Sequence, residues 1–266
     1  MKNYTKFYFI LGIILIIFIS TFLLKDIIFK PEKPPVENDE IKLLKQIFPE
    51  KLIISQNDKD HYIVDGKDYY VKSLGDVNRD GFSEFVSMEI IPGEGKTYKF
   101  YTKTLNDYFF IGEEATLIWH LEDNKNKEME ITLKDITGDG INEFIVRLAQ
   151  SASNTTVYRI LAFDDANKKL IIIPNKDYFS KKPETSIIFD EIRRENNFVV
   201  TIGHGGYNKT KSYYSINGNI LNFERSIGVY GEPGVEEYEY REIDKDGNII
   251  YKEKRRGNFW LDESVK

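Results

Sequence analysis

Two short acidic segments contain the side chains best suited to chemistry. Each is nine residues long, with oxygen-bearing side chains at its first, third, fifth and ninth positions and glycine at its sixth. Glycine permits a sharp turn, and calcium takes about six to eight hard oxygen ligands. The spacing therefore predicts two calcium sites. The ligands of the first are Asp76, Asn78, Asp80, the Phe82 carbonyl and Glu84, and those of the second are Asp135, Thr137, Asp139, the Ile141 carbonyl and Glu143.

The same residues could instead form two aspartate–glycine turns without a metal. Two copies with matching flanks favour calcium, because three crowded carboxylates repel one another unless a cation joins them. Neither segment is an EF-hand loop, since the bidentate glutamate expected at the twelfth position is replaced by Ser87 and Val146. We expect static calcium rather than a switch, because extracellular modules bind it at roughly 10⁻⁴–10⁻³ M and stay loaded.

An apolar strand pattern follows each acidic segment, over residues 85–90 and 144–148. An acidic nine-residue loop that leads into a strand resembles the FG-GAP/VCBS repeat family. In that family, Asp-x-Asp-x-Asp-Gly-x-x-Asp loops bind calcium between the strands of β-propeller blades. The resemblance implies calcium as the cofactor and a β architecture, and it extends only over the two loops and the strands after them.

The chain departs from that family in repeat number and at two ligand positions, the third and the ninth. The segments begin 59 residues apart, and no similar loop occurs near residues 194 or 253, where further copies would fall. Propellers usually have about four or more blades. The alternatives are an incomplete or small β-propeller and a compact β fold, which we favour. Thr137 is a weak neutral ligand, and both ninth positions are glutamate rather than aspartate.

The N-terminus predicts a membrane location. Residues 7–24 contain no charged side chain, and a helix of that length spans roughly 27 Å, close to the bilayer core. A cleaved signal peptide is the alternative, but no Ala-x-Ala-like site follows. We therefore predict a cytoplasmic tip and transmembrane signal anchor over residues 1–30. A proline-rich linker follows over 31–40 and an extracytoplasmic domain over 41–266, oriented by a small excess of flanking lysine.

The domain reads as mainly antiparallel β, with one short helix over residues 41–48 at its entrance. Apolar alternation predicts most of the strands. Asp65-Gly66 and Asn217-Gly218 are typical of tight hairpin turns, and residues 236–254 predict another hairpin around 244–247. The predicted fold class is therefore mainly β: an N-terminal transmembrane helix, a linker, and an antiparallel β domain with calcium loops.

Composition narrows the function classes. The formal net charge of -6 argues against a nucleic-acid-binding protein, and the absence of cysteine excludes disulfides and thiol chemistry. We predict a membrane-anchored, calcium-binding interaction module for an envelope protein or glycan. The alternative is an inhibitor or immunity-type protein that blocks an envelope hydrolase, with residues 203–208 or 228–234 as its protruding loop. We predict no enzymatic activity, since nothing in the sequence brings Glu113, Glu114 or another carboxylate pair to catalytic distance.

Overall fold

The protein is described here from a computed structural model. The described residues are 38–51, 55–58, 60–91, 95–117, 129–150, 156–177, 182–205, 208–232 and 234–258. The chain divides into two compact units, Met1–Lys42 and Leu43–Lys266. The apolar segment 7–24 and most of the linker lie outside the described residues. The predicted anchor and its cleavage therefore stay predictions. Within the described part of the chain, no helix has the length and hydropathy needed to cross a bilayer.

One α-helix, α1 (Asp39–Ile47), precedes the strands. Asn38 caps its first turn, because its Oδ1 accepts the Ile41 amide at 2.9 Å. Leu43 and Leu44 are fully buried. The side chain of Gln46 bonds the Tyr108 backbone twice, donating to its carbonyl at 2.7 Å and accepting its amide at 2.9 Å. The helix predicted over residues 41–48 is thus present and fastened to the β structure.

The described strands form three sheets, which we number I to III. Sheet I runs in chain order through β1 (Ser55–Asp58), β2 (His61–Val64), β3 (Lys67–Gly75), β4 (Glu84–Ile91), β5 (Gly95–Lys103) and β6 (Tyr108–Leu117). Sheet II contains β7 (Ile131–Lys134), β8 (Glu143–Gln150), β9 (Thr156–Asp164) and β10 (Lys169–Ile172) in the order β10-β9-β8-β7, and β12 (Ile187–Ile188) also pairs with β9.

Sheet III is a second meander. It runs in chain order through β13 (Glu191–Glu195), β14 (Phe198–Gly205), β15 (Asn208–Asn217), β16 (Ile220–Tyr230), β17 (Glu237–Asp244) and β18 (Ile249–Arg256). The short strand β11 (Asn175–Lys176) pairs in parallel with β16. The other pairings in the three sheets are antiparallel, so the mainly antiparallel β class predicted from the sequence is confirmed.

Local turn chemistry explains the hairpins. Asp65 and Gly66 both have positive φ, at 54° and 75°, in the turn between β2 and β3, as a type I′ turn requires. Gly218, at φ 59°, turns β15 into β16, and Gly247, at φ 84°, lies in the turn between β17 and β18. All three hairpins lie where the sequence predicts them.

Sheet II packs on both faces, which explains its apolar composition. Along β8, Phe144 and Val146 join a core with side chains of sheet I such as Phe100. The intervening Ile145 faces the other way and joins a second core with Val199 and other residues of sheet III. Strand alternation thus supplies two cores from one strand.

Candidate functional site

The two acidic segments form equivalent connections between antiparallel neighbours. The first joins β3 to β4 and the second joins β7 to β8, and the ninth residue of each begins the following strand. Their fourth and sixth residues have positive φ: Arg79 at 62° and Gly81 at 89° in the first loop, Gly138 at 80° and Gly140 at 88° in the second. Both backbones therefore make the tight curl that the sequence predicts.

Aspartates at the first and fifth positions hold this curl. The amides of Gly81 and Gly140 each donate at 3.0 Å to the first aspartate of their own loop, Asp76 or Asp135. Each fifth-position aspartate accepts the amide of the residue two positions later in its loop. Asp80 accepts the Phe82 amide at 2.9 Å and Asp139 accepts the Ile141 amide at 2.8 Å.

The third positions differ between the loops. Asn78 accepts the amide of Asp80 at 3.1 Å, and its own side-chain amide donates to the Asp80 carboxylate at 3.1 Å. In the second loop, the Thr137 hydroxyl turns toward the strand and donates to Glu143 at 3.0 Å. The Asn78 side chain therefore bonds within its own loop, whereas the Thr137 side chain bonds the first residue of the following strand.

The ninth-position glutamates are buried, at 1% exposure for Glu84 and 2% for Glu143. Glu84 Oε2 accepts the Val77 amide at 2.7 Å, and its Oε1 accepts the hydroxyl of Thr102 on β5 at 2.9 Å. Glu143 Oε2 accepts the amide of Ile136 at 2.8 Å. Burial raises the pKa of both carboxyls, and the amide bonds offset part of this effect.

The second residue of each loop is the apolar anchor. Val77 packs in the core that sheets I and II share, whereas Ile136 is fully buried in the core that sheets II and III share. Each ninth-position glutamate bonds the amide of this anchor. Loop geometry and core packing are thus linked through one carboxylate in each case.

Arginine side chains pack against the second loop. A Cβ at Gly140 would lie 2.7 Å from the Arg79 guanidinium, and one at Gly138 would overlap the guanidinium of Arg194. Arg194 also donates to the carbonyls of Ile136, at 3.3 Å, and of Thr137. The first loop therefore contacts the second through Arg79, and β13 contacts the second through Arg194.

Side chains predicted to form the calcium shells accept hydrogen bonds from backbone amides of their own loops. In the part of the chain that the structure describes, no three aspartate, glutamate or histidine side chains are grouped closely enough to hold a metal ion. The carboxylates of Glu84 and Glu143 are buried and accept hydrogen bonds from protein groups. The backbone curl agrees with a calcium loop, but each ninth-position carboxylate accepts hydrogen bonds from protein groups. Calcium binding therefore stays a prediction.

The adjacent carboxylates Glu113 and Glu114 are separated by strand alternation. Both belong to β6, where Glu113 is exposed and Glu114 is buried. The Glu114 carboxylate accepts from Arg159 at 2.5 Å. This ion pair between sheets I and II gives Glu114 a structural partner.

A cleft of about 500 Å³ lies between sheets II and III, and sequence reasoning did not find it. Hydroxyl and amide side chains dominate its lining, which we call the polar cleft: Asn175, Ser186, Thr201, Asn208, Thr210, Ser212, Tyr214 and Tyr230. Ile187 and Ile188 form part of an apolar wall. The available signal was the alternation of β15, where Asn208, Thr210 and Ser212 share one face.

One rim of the polar cleft is fixed by local hydrogen bonds. The Asn175 side chain donates to the Ser186 carbonyl at 2.6 Å, which holds the segment before β12. Asp190 accepts the His204 amide at 2.7 Å and contacts the His204 ring nitrogen Nδ1. In the segment 203–208, which was predicted as a protruding loop, residues 203–205 and 208 belong to β14 and β15.

Comparisons with known proteins give no family assignment. No protein-family model matches the sequence, and no curated protein matches it. A solved structure described as a Xanthomonas type IV secretion system related protein is similar at 14% identity, over 74% of this chain and 98% of that one, with a TM-score of 0.37.

Proposed function

We propose that this chain is a membrane-anchored, extracytoplasmic interaction module that binds an envelope protein or glycan through the polar cleft. The cleft carries the proposal. It is a concave site of a size that suits ligands, about 300–1,000 Å³ in general, and many polar side chains are among its lining residues. The apolar segment at residues 7–24 supplies the predicted anchor.

In this proposal the sheets are a rigid support for the cleft. Its floor comes from β14, β15 and β16, which pair with neighbours on both sides. Its wall comes from β12, which pairs with β9 of sheet II. The acidic loops stiffen the packing of the same sheets, and calcium, where bound, adds stability there rather than chemistry.

Site-specific photo-crosslinking in cells tests the proposal. Ile188 lines the cleft and is 57% exposed, so a benzoylphenylalanine introduced there should crosslink to the partner. Leu105, 84% exposed on the turn between β5 and β6, is the matched control position. A protein partner gives a discrete heavier band, and a glycan gives a dispersed one. No adduct at Ile188, or equal adducts at both positions, would contradict a binding function for the cleft.

Membrane topology is tested separately. A C-terminal tag on the full chain should be removed by protease added to intact cells, because the domain is proposed to lie outside the cytoplasmic membrane. The chain should also stay with the membrane fraction after a high-salt wash. Release of the tagged chain into the soluble fraction would contradict anchoring while leaving the cleft proposal open to its own test.

A further inference from the structure

We infer that the ligand of the polar cleft is a neutral glycan, an inference that rests on the binding function proposed above. The three properties that lead to this ligand class are the charge of the lining, the state of the floor's backbone and the distribution of polar and apolar groups. Each excludes or disfavours another kind of ligand.

The charge of the lining disfavours anionic ligands. Among the described residues that line the cleft there is no lysine or arginine, and two carboxylates, Asp177 and Glu184, are present. On β15 the lysines alternate with the lining residues and face away: Lys209 and Lys211 are buried on the opposite face. Lys211 pairs there with Glu195 at 3.0 Å. His204 also lines the cleft, but its ring contacts the Asp190 carboxylate. Phosphate-rich or uronic-acid polymers would thus meet carboxylates without a lysine or arginine partner.

The described floor offers a peptide no continuous strand edge. A peptide that binds by strand addition needs unpaired backbone groups along an edge. Here β15 and β16 have neighbours on both sides, and β14 lies between β13 and β15 as far as Ile202. Beyond Ile202, the His204 amide donates to Asp190. On the floor, the ligand is therefore recognised mainly through side chains, which are mostly neutral donors and acceptors such as Thr201, Thr210 and Ser212.

The arrangement of polar and apolar groups suits a sugar ring. A ring presents hydroxyls around its edge and C–H groups on its faces. The hydroxyl-bearing floor can exchange hydrogen bonds with the edge, since each hydroxyl both donates and accepts. Ile188 on the wall, which is 57% exposed, can cover a C–H face. The carboxylates of Asp177 and Glu184 can accept hydrogen bonds from sugar hydroxyls.

Gly203 provides a way to fill the cleft without straining the backbone. It lies on the floor and does not have a left-handed φ, and a Cβ there would contact only the Ile188 carbonyl oxygen and the Phe189 Cα, both at 3.8 Å. Leucine at this position should extend into the space that a ligand would use. Thr210→Val is the milder variant, because it removes one hydroxyl at nearly constant volume.

The test is a binding titration of the full chain in lipid nanodiscs, because sugar-headed detergents would compete for the cleft. The neutral probes are tetra-N-acetylchitotetraose, cellotetraose and maltotetraose, and the charged probes are tetragalacturonate and tetralysine. We expect at least one neutral probe to bind and its affinity to fall about tenfold or more in Gly203→Leu. Thr210→Val should weaken it by a smaller factor, and Thr132→Val, at the exposed position of β7, should leave it unchanged.

The results distinguish a failure of the glycan assignment from a failure of the proposed binding function. Binding of a charged probe alone, or of no probe, overturns the glycan assignment, and so does neutral binding that neither cleft variant alters. A discrete protein adduct at position 188 in the crosslinking experiment would then leave the binding function standing with a protein partner. If Gly203→Leu does not fold, as judged by circular dichroism, Thr210→Val against Thr132→Val decides.

Discussion

Glu84 and Glu143 each fasten a loop to a core through one carboxylate. Their oxygens accept loop amides, while Val77 and Ile136, which donate two of those amides, are buried in the two cores. Removal of a buried acceptor leaves its donors unsatisfied, which costs more than the bond itself contributes. The ninth position is therefore structural whether or not a metal binds.

Glu84→Ala should lower the free energy of unfolding by about 2 kcal/mol, because the Val77 amide and the Thr102 hydroxyl lose a charged acceptor. Urea denaturation followed by circular dichroism measures this loss. Lys67→Ala on the neighbouring strand β3 is the control. Lys67 is exposed and pairs with Glu89 at 3.1 Å, and its loss should change stability by no more than about 0.5 kcal/mol. Similar effects of the two variants would refute the bracing role of Glu84.

The contacts of Glu195 with Lys211 and Arg193 should make part of the stability of sheet III depend on pH. Burial opposes its ionisation, but hydrogen bonds from Lys211 and Arg193 outweigh this, so the pKa of Glu195 is lowered. A lowered pKa gives stability that is present above the unfolded value, about 4.3, and is lost as pH falls through the folded value. Glu195→Gln should thus lower the melting temperature at pH 7.

The same variant should differ less from the wild type as the pH falls below about 4, since the wild-type carboxylate is then progressively protonated. Melting curves of both proteins from pH 3 to pH 7 measure the difference. A gap that stays constant over this range would show that the Lys211 and Arg193 contacts do not act through the charge of Glu195.

Among the elements, the second acidic loop is held from outside as well as from within. Arg194 of β13 donates to its Ile136 and Thr137 carbonyls and lies against Gly138. Arg79 of the first loop lies against Gly140. Glycine is therefore needed at position 138 for two reasons, its left-handed φ of 80° and the guanidinium beside it.

Gly138→Ala should destabilise the protein more than Gly218→Ala does. Both positions have positive φ, so alanine costs about 1–2 kcal/mol at each, but Gly218 has no heavy atom near its Cβ position whereas Gly138 would overlap Arg194. The double variant Gly138→Ala/Arg194→Ala should recover the overlap part of the loss in a double-mutant cycle. Equal costs for the two single variants would refute the close contact with Arg194.

For the whole molecule, each acidic loop joins two neighbouring strands of one sheet, so calcium bound there would brace that connection. If both sites bind at the roughly 10⁻⁴–10⁻³ M typical of extracellular modules, 10 mM calcium stabilises by about 1.4–2.7 kcal/mol per site. We expect the melting temperature to rise with calcium and to fall with chelator.

Two variants assign that response. Asp76→Ala/Asp135→Ala should abolish the calcium shift, because it removes the first ligand of each predicted site. Asp244→Ala changes an aspartate that accepts turn amides in the β17–β18 hairpin and should keep the shift. A melting temperature that ignores both calcium and chelator would end the calcium prediction and leave the hydrogen-bonded loops as self-sufficient turns.

The sequence alone determined the local conformations. The Asp65-Gly66 and Asn217-Gly218 hairpins, the helix at the domain entrance and the curl of both acidic loops all lie where the residue pattern predicts. These features depend on φ preferences and on bonds between residues a few positions apart, which a short window of sequence contains.

The tertiary structure alone decided what those elements contact. A ninth-position glutamate can serve equally as a metal ligand or as a buried acceptor, and the choice depends on Thr102 from another strand and on core packing around the loop. The polar cleft likewise joins Asn175, Thr201 and Thr210 from three strands. Such neighbours are set by sheet pairing and by how the sheets stack, which are long-range properties that no local pattern encodes.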